Sequence, residues 1–556
     1  MFGPFSNNTE DKTKFKSWEP KITAYRKALE DGLPADYKLS DDLLPKDLDS
    51  GVNVTQIPLK ALSESELDIT ESSACVLTKR LANGELTAVE VFKAFAKRAT
   101  IAHQLTNCAM EIFIDEGLKR AQELDDYFAK TGKTVGILHG LPVSLKEHYN
   151  YKGKVTHGGY VCYLDNVTEE WCTTVELLKD AGAVFFIRTT EPQSLMHLCS
   201  LNNITGSCRN PHNTSLTPGG SSSGEGAIAA MKGSVFGLGS DIGGSIRCPA
   251  AFCGVWGLRP TQQRLSMKNV LCAAEDSVQE SVSCVLGPLA RSGEDIDLFM
   301  KAIIDGEPWK RDACALPIPW RDVSRPDAKS LKVAICYDDG LVKPSPPILR
   351  ALRNAAEKLA AAGVTVVDWK PINVKKIVEA CASMYNADGN FAQKRALAES
   401  GEPLLPLTKV ALSFGCGDDG VSVAKNQELN GIRDSGRQDY FSELNKQGID
   451  YILCPTYASV AAKPSTVKYW GYTSLWNILD YPNVVFPTGL KVDPKLDVVD
   501  SEYKPRNDYE AYEYSLYTDP KDFKDAPIGL QLTGRRYFDE ELVKASQVIA
   551  KIIQDE

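Results

Sequence analysis

The chain has 556 residues, enough to bury a large core and a substrate pocket in one large α/β unit or in two interleaved lobes. Its formal net charge of −10 comes from 73 acidic and 63 basic residues that are interspersed along the chain. This balance offers no basic surface for nucleic acid or an anionic membrane, so a small neutral molecule is the expected partner.

Neither a targeting segment nor a disulfide framework is predicted. The first residues form no apolar signal segment, and no run of about 18 apolar residues occurs later, so we expect a cytoplasmic protein without stable membrane insertion. The 15 cysteines show no repeated Cys-x-x-Cys pair, and several, such as Cys336 and Cys454, lie within apolar runs. We expect reduced core cysteines, not disulfides or zinc ligands.

The first predicted elements are an irregular N-terminal segment and a well-marked helix. Residues 1–65 are polar, contain prolines and show little periodicity, which indicates an arm that wraps the body or a neighbouring subunit and could form a dimer contact. Residues 66–556 are interpreted as a single domain. Within it, Thr87 and Glu90 form a capping box in front of an apolar helical face, which predicts that a helix begins there.

Apolar β-rich runs then alternate with helical patterns. A strand is predicted at 141–145, followed by a helix that ends near Gly182 and a strand that begins at Ala183. Further strands are predicted at 332–337, 364–369, 451–454 and 528–532, with helices within 347–363 and over about 539–553. This alternation predicts an α/β fold with a large mixed, mostly parallel twisted β-sheet covered by helices on both faces.

Two Gly/Ser-rich segments lie close together inside core-forming sequence. TPGGSSSGEGAIAA at 217–230 has the composition of a flexible linker, but an Ala-rich apolar run follows it at once. In GSDIGGSIRCPAAF at 239–252, a predicted strand leads into two glycines and Ser245, and then into a helix. Such a turn aims successive N–H groups at developing negative charge. An anion site and a simple strand–helix turn are the alternatives.

A nucleophilic serine in this turn requires a base. None of the six histidines stands in a recognisable triad arrangement, although pairing in space stays open. Lys146 directly follows the apolar run PVSL and so lies at the end of a predicted strand. The ordinary alternative is a solvated surface lysine. If Lys146 is buried, desolvation would lower its pKa and make it available as a base.

Three motifs together resemble the amidase-signature family, in particular its fungal acetamidase-like and fatty acid amide hydrolase-like members. They are Lys146 in GLPVSLKEHYN, Ser221 in PGGSSSGEGA and Ser245 in GSDIGGSIRCPAAFCGVWGLRPT, and their separations also match that family. The likeness continues through IDYILCPTYA and PIGLQLTGRR and covers about residues 66–550. The resemblance implies the amidase-signature fold, with 66–556 as one catalytic domain, and a homo-oligomer.

The family pattern implies a role for each matching residue. Ser245 is the expected nucleophile and Lys146 is the expected base. Ser221, whose preceding peptide bond is expected to be cis, is the expected proton relay. The pattern also implies an oxyanion hole from the backbone N–H groups of Ile242, Gly243, Gly244 and Ser245, supporting contacts from Ser222, Asp241 and Arg247, and a substrate-facing backbone at Leu195. Ser223 and Glu147 replace a more usual glycine and aspartate, which bears on loop detail and pocket shape. No metal or organic cofactor is implied.

The expected reaction is hydrolysis of the C–N bond of small amides through an acyl-enzyme, releasing ammonia or an amine, with carbamate esters as further substrates. Short aliphatic amides are favoured over long-chain lipid amides because no membrane-inserting segment is evident. One alternative is a glutamine-hydrolysing amidotransferase subunit for tRNA-dependent amidation, which would need partner subunits. Another is a non-catalytic ligand-binding or scaffold protein with the same fold, and a third is a Ser-His-Asp or cysteine hydrolase.

Overall fold

The computed structural model describes residues 2–272 and 279–555. Its strands are β1 (Ala109–Ile112), β2 (Pro142–Lys146), β3 (Val184–Thr189), β4 (Leu201–Asn202), β5 (Gly206–Ser207), β6 (Phe236–Asp241), β7 (Trp256–Arg259), β8 (Val285–Ala290), β9 (Lys332–Ile335), β10 (Thr365–Asp368), β11 (Tyr451–Pro455), β12 (Asn483–Lys491) and β13 (Pro527–Thr533). All except β4 and β5, which pair with each other, form one sheet in the order β1-β3-β2-β6-β8-β7-β12-β13-β11-β9-β10.

The helices pack around this sheet. They are α1 (Lys12–Asp31), α2 (Pro58–Ala61), α3 (Glu64–Glu71), α4 (Ala74–Ala82), α5 (Ala88–Thr106), α6 (Ile114–Thr131), α7 (Thr173–Asp180), α8 (Ser223–Ala230), α9 (Arg247–Cys253), α10 (Gly293–Ile304), α11 (Pro346–Ala361), α12 (Val374–Tyr385), α13 (Phe391–Ser400), α14 (Pro406–Leu412), α15 (Val423–Gln447), α16 (Gly471–Leu479), α17 (Asp508–Leu516) and α18 (Asp539–Gln554). One hydrophobic cluster extends from α1 to α18.

The α/β class is confirmed, but the expectation that the sheet is mostly parallel is wrong. The parallel pairs are β3/β2, β2/β6, β11/β9 and β9/β10. The other six neighbouring pairs of the large sheet are antiparallel. The helix-linked pairs β2/β3 and β9/β10 are parallel, as the alternating pattern predicts. The antiparallel majority arises because β8 inserts between β6 and β7, and because β12 and β13 pair directly in opposite directions.

The individual elements follow the predicted local signals. The N–H of Glu90 donates to the Thr87 hydroxyl at 3.1 Å, so α5 begins at the predicted capping box. Ten of the fifteen cysteines are buried, in agreement with the prediction that most of them are core residues. In the described parts of the chain, no helix combines the length and apolar character needed to cross a bilayer.

The N-terminal segment packs on the body of the same chain. Phe2 pairs with Phe414 in an isolated bridge, and the Asp11 N–H donates to the Gly401 carbonyl at 2.9 Å. Helix α1 contacts α13 and β1. These contacts hold residues 2–31 against the chain that carries them. The boundary at residue 65 and the suggested dimer contact stay predictions.

Candidate active site

The sequence-predicted residues converge where β2 and β6 end. Lys146 is the last residue of β2, and β2 runs parallel to β6, whose last residue is Asp241. The loop that carries Ser221 lies directly before α8, and the turn that carries Ser245 joins β6 to α9. Because parallel strands end at the same edge of a sheet, the lysine and both serines come together there.

Lys146 is fully buried and is surrounded by hydroxyl groups. Its Nζ lies 2.7 Å from the Ser221 Oγ and 3.0 Å from the Ser240 Oγ. Burial lowers the pKa of Lys146 below its ordinary value, and an ionised Glu191 would oppose that shift. This environment favours an uncharged amine. Ser240 was not anticipated from the sequence, although a serine that ends a buried strand beside the glycine turn is a recognisable signal.

The Ser221 loop is tied to the glycine turn through its backbone. The Gly220–Ser221 peptide bond is cis, which is the conformation that the family resemblance implies. The Ser222 N–H donates to the Ser245 carbonyl at 3.1 Å, and the Ser222 hydroxyl accepts from the Ser240 N–H at 3.3 Å. Among the described residues, no hydrogen bond joins the hydroxyls of Ser221 and Ser245. A contact between Lys146 and the Ser221 hydroxyl is therefore present, whereas a direct hydrogen bond between the two serine hydroxyls is not.

The glycine turn contains several backbone N–H groups, one of which is engaged within the turn itself. The Gly244 N–H donates to the Asp241 carboxylate at 2.9 Å and is therefore engaged within the turn. The N–H groups of Ile242, Gly243 and Ser245 donate to no other described residue. Gly244 has a φ of +129°, and a side chain there would meet the Thr473 hydroxyl at 2.5 Å, so the position requires glycine.

A buried ion pair fixes the base of the turn. Arg247 Nη2 lies 2.9 Å from Asp241 Oδ1, and both side chains are completely buried. Burial alone would raise the pKa of Asp241, but the charge and hydrogen bonds of Arg247 outweigh burial and hold that pKa well below its usual range. Asp241 therefore remains a carboxylate, and it also accepts from the Ile246 N–H at 3.1 Å and from Asn477 at 2.8 Å.

Two residues that sequence reasoning missed orient the turn from outside. The Thr473 hydroxyl donates to the Gly243 carbonyl at 2.6 Å, and the Tyr385 hydroxyl donates to the Ile242 carbonyl at 2.8 Å. Holding these carbonyls directs the opposite, N–H, edges of the same peptides away from α12 and α16. No local pattern predicts either residue, because both lie in helices that are distant in sequence from the glycine turn.

Leu195 lies in a tight turn beside this region. Its φ is +62°, and its N–H donates to the Pro192 carbonyl at 3.2 Å. The residue is buried, with 8% exposure, and its side chain lies beside Gly158. Its substrate-facing role stays a prediction.

Glu147, His157 and Glu191 form a buried cluster whose ligand atoms all lie within 4.8 Å of one another. A metal ion does not suit this cluster. The imidazole Nδ1 already accepts from the Gly159 N–H at 3.1 Å, and its Nε2 is 3.0 Å from the Tyr25 hydroxyl. The Glu147 carboxylate accepts from two backbone N–H groups and lies 3.2 Å from a guanidinium, a cation that would repel a metal.

The amidase family model matches residues 90–543 of the chain. An acetamidase of Emericella nidulans is 38% identical over 558 residues, covering 97% of this chain and 98% of that protein. An acetamidase of Aspergillus oryzae is 36% identical over 551 residues, covering 97% and 99%. A structure titled fatty acid amide hydrolase superimposes with a TM-score of 0.96 at 49% identity, covering 98% of this chain and 97% of that one. The chain belongs to the amidase family.

Proposed function

We propose that this amidase hydrolyses the carbon–nitrogen bond of small amides through an acyl-enzyme, with Ser245 as nucleophile, Ser221 as proton relay and Lys146 as base. The observation that carries the proposal is the 2.7 Å contact between a fully buried Lys146 amine and the Ser221 hydroxyl, next to the turn that holds Ser245. A buried amine whose pKa is lowered can accept a proton at neutral pH, which a solvated lysine cannot do.

The proton path follows from these positions. Neutral Lys146 takes the Ser221 proton while Ser221 takes the Ser245 proton, so that Ser245 attacks the substrate carbonyl as an alkoxide-like nucleophile. The tetrahedral intermediate places its negative oxygen against the free N–H groups of the glycine turn. Lys146 then returns the proton through Ser221 to the leaving nitrogen, and ammonia or an amine departs. A water molecule hydrolyses the acyl-enzyme by the same relay and releases the carboxylic acid.

The oxyanion donors follow from the hydrogen-bond inventory of the turn. Ile242, Gly243 and Ser245 offer N–H groups that no described residue occupies, whereas Gly244 must first release Asp241. Removing a single donor of this kind costs about 10²- to 10³-fold in turnover. Ser222, Asp241 and Arg247 support the proposed machinery by fixing the loop and the turn.

The assignment is tested by four variants. Lys146→Ala and Ser245→Ala should each lose most amide hydrolysis while circular dichroism and unfolding stay close to those of the wild type. Lys232→Ala, at an exposed lysine that pairs with Glu71, and Ser546→Ala, at a buried serine in α18, are the matched controls and should retain activity. Labelling with a fluorophosphonate probe should disappear in Ser245→Ala, become much slower in Lys146→Ala and persist in both controls. Wild-type hydrolysis in Lys146→Ala or Ser245→Ala would defeat the assignment.

The proposed substrates are short aliphatic amides. The similarity to proteins named acetamidase supports short aliphatic amides as substrates of this chain, and the similarity to a structure titled fatty acid amide hydrolase makes long acyl chains the contrasting test. A panel of acetamide, benzamide, ethyl carbamate and a fatty acid amide, read out as released ammonia or amine, separates these classes. Carbamate hydrolysis follows from the same acyl-enzyme route. Hydrolysis that depends on glutamine and tRNA would instead identify an amidotransferase subunit. A cytoplasmic location, self-association and the division at residue 65 stay predictions.

A further inference from the structure

Two glutamates lie near Lys146 at the edge of the sheet where β2 and β3 end. Glu147 directly follows Lys146 at the end of β2, and Glu191 lies just beyond the end of β3. The strands are parallel, with Lys146 opposite Thr189, so both carboxyl groups emerge side by side. Both glutamates are completely buried.

The two carboxyl groups differ in the hydrogen bonds that they accept. The Glu147 carboxylate accepts from the backbone N–H of His157 at 3.0 Å and from the backbone N–H of Gly158 at 2.9 Å, and Arg188 Nη2 lies 3.2 Å from its Oε1. It is therefore supported as a carboxylate. Neither oxygen of Glu191 receives a donor from any described residue. An ionised carboxylate left in that state would be strongly destabilising, because its lost hydration is not replaced.

Lys146 does not provide the missing donor, since the hydrogen bonds of its Nζ are to the hydroxyls of Ser221 and Ser240. The carboxylate of Glu147 and the imidazole of His157 both lie within 4.8 Å of Glu191. The two ring nitrogens of His157 are already engaged with the Gly159 N–H and the Tyr25 hydroxyl, which leaves Glu147 as the partner. Two carboxylates cannot bond to each other unless a proton lies between them. A proton on Glu191 turns an unsatisfied acceptor into a donor to Glu147, so it satisfies both groups at once.

We propose that Glu191 is a positioning residue that holds a proton for the pair Glu147/Glu191, and that its neutrality keeps the neighbouring Lys146 amine uncharged. The protonated Glu191 donates to the Glu147 carboxylate, and Arg188 balances the single negative charge of the pair. The catalytic part of this inference rests on the proposed function, whereas the location of the proton does not.

The electrostatics of the site agree with this arrangement. Burial, followed by the negative charge of Glu147, raises the pKa of Glu191 well above its ordinary value. The same number of protons could instead be arranged as a Lys146 ammonium and a Glu191 carboxylate. That arrangement buries two additional charges and leaves the carboxylate without a donor, so it is the less favourable one. The charged or titratable groups that face the pair and Lys146 are Arg188, His157, Tyr25, His148, Glu111, Asp241, Glu225 and Cys284.

The proton is observed directly by infrared difference spectroscopy without substrate. At neutral pH, the spectrum of the wild type minus that of Glu191→Gln should contain the carbonyl band of a protonated carboxylic acid. Glu513→Gln is the control, because burial raises the pKa of Glu513 to about 8, so it should also lose such a band. Absence of the band in the Glu191→Gln difference, with the band present for Glu513→Gln, overturns the proposal.

The effect on Lys146 is read from the pH dependence of kcat/KM. Glu191→Gln keeps a neutral donor towards Glu147, so the acid limb of its profile of kcat/KM against pH should lie at the same pH as in the wild type. Its kcat/KM should fall no more than about threefold, which is the size of one modest hydrogen-bond change. If Glu191 is an ionised partner of an ammonium, its removal instead moves the acid limb to lower pH. That shift would refute the proposal. Glu513→Gln should leave the limb unmoved.

Glu147→Gln provides the opposite perturbation. It removes the negative charge of residue 147, which raises the pKa of Glu191 and faces Arg188, so Glu191 should ionise and stabilise the ammonium form of Lys146. The acid limb should then move to higher pH by at least about one unit, which lowers kcat/KM tenfold on that limb. The double variant Glu147→Gln/Glu191→Gln should bring the limb back, because no carboxylate then remains in the pair. An unmoved limb in folded Glu147→Gln would overturn the inference. If the infrared band is present but Lys146→Ala remains active, the proposed function fails and the carboxyl pair stands.

Discussion

The buried pair of Asp241 and Arg247 allows a quantitative test of how the glycine turn is held. In Asp241→Asn the shape of the side chain is kept, but the negative charge is lost. The arginine, which lies 2.9 Å from Asp241 Oδ1 with no exposed surface, then has no counter-charge. The new amide also directs an NH₂ group at positions where the carboxylate accepts from Gly244 and Ile246. Stability and catalysis should therefore both suffer.

The magnitude follows from the burial of the pair. Removing one partner of a buried ion pair typically costs about 3–5 kcal/mol, which corresponds to a decrease of about 10²- to 10⁴-fold in the folding equilibrium constant. The hydrogen bond to the Gly244 N–H fixes the turn that carries the oxyanion donors. Loosening this turn should cost about as much as losing one donor, so kcat should fall by about 10²-fold.

The assay compares urea unfolding and kcat for Asp241→Asn with those for Asp305→Asn. Asp305 pairs with Lys301 at 2.7 Å on the surface of α10, where the two side chains are 47% and 51% exposed. Exposed pairs of this kind contribute less than about 0.5 kcal/mol, so the control should resemble the wild type. If Asp241→Asn unfolds within about 1 kcal/mol of the wild type and keeps its kcat, the buried pair does not hold the turn as described.

Three further substitutions test the amine, its second hydroxyl partner and the serine loop. Lys146→Met should abolish turnover and yet, at neutral pH, unfold no more easily than the wild type. Because folding lowers the pKa of Lys146, the unfolded chain binds one more proton than the folded chain, so the wild type gains stability relative to the variant as pH rises towards the unfolded pKa of about 10.4. A free energy of unfolding that is lower in the variant by more than about 2 kcal/mol at neutral pH would contradict a desolvated amine. Ser240→Ala removes a 3.0 Å contact of that amine and should lower kcat/KM about 2- to 10-fold, whereas Ser546→Ala should leave it unchanged; equal kcat/KM in the two variants would exclude a role for Ser240. Gly220→Ala places a methyl group 2.1 Å from a backbone oxygen and should abolish activity or folding, but Gly431→Ala in α15 has nothing within 4 Å and should stabilise the protein by about 0.5–1 kcal/mol in urea; an active, equally stable Gly220→Ala would show that the loop has room.

Local signals in the sequence predicted much of the secondary structure. The capping box at Thr87 marks the start of α5, and the apolar run before Lys146 is the fully buried strand β2. These features depend on neighbours within a few residues, so a pattern is sufficient to find them. The burial of Lys146 was not settled by this pattern, because a solvated lysine stayed the alternative until the family resemblance implied that Lys146 is the base.

Features that depend on distant partners were not predictable in this way. The order of strands in the sheet is set by the insertion of β8 between β6 and β7, which leaves no local signature. Likewise, Thr473 and Tyr385 reach the glycine turn from α16 and α12, which are remote along the chain. The difference between the hydrogen bonds that Glu147 and Glu191 accept arises only when β2 and β3 pair. The family motifs identified candidates, but the electrostatic balance around them is a property of the assembled sheet.

That balance explains how a lysine and several carboxyl groups share one water-free region. Asp241 is neutralised by Arg247 and Glu147 by Arg188, so each arginine cancels one carboxylate. With Glu191 protonated, the Glu147/Glu191 pair beside Lys146 carries one negative charge, which faces Arg188. The only new negative charge in the proposed cycle is then the substrate oxyanion, and the groups that meet it are fixed N–H dipoles instead of mobile ions. A low-dielectric site strengthens such dipoles, and because the turn already orients them, little reorganisation accompanies the attack.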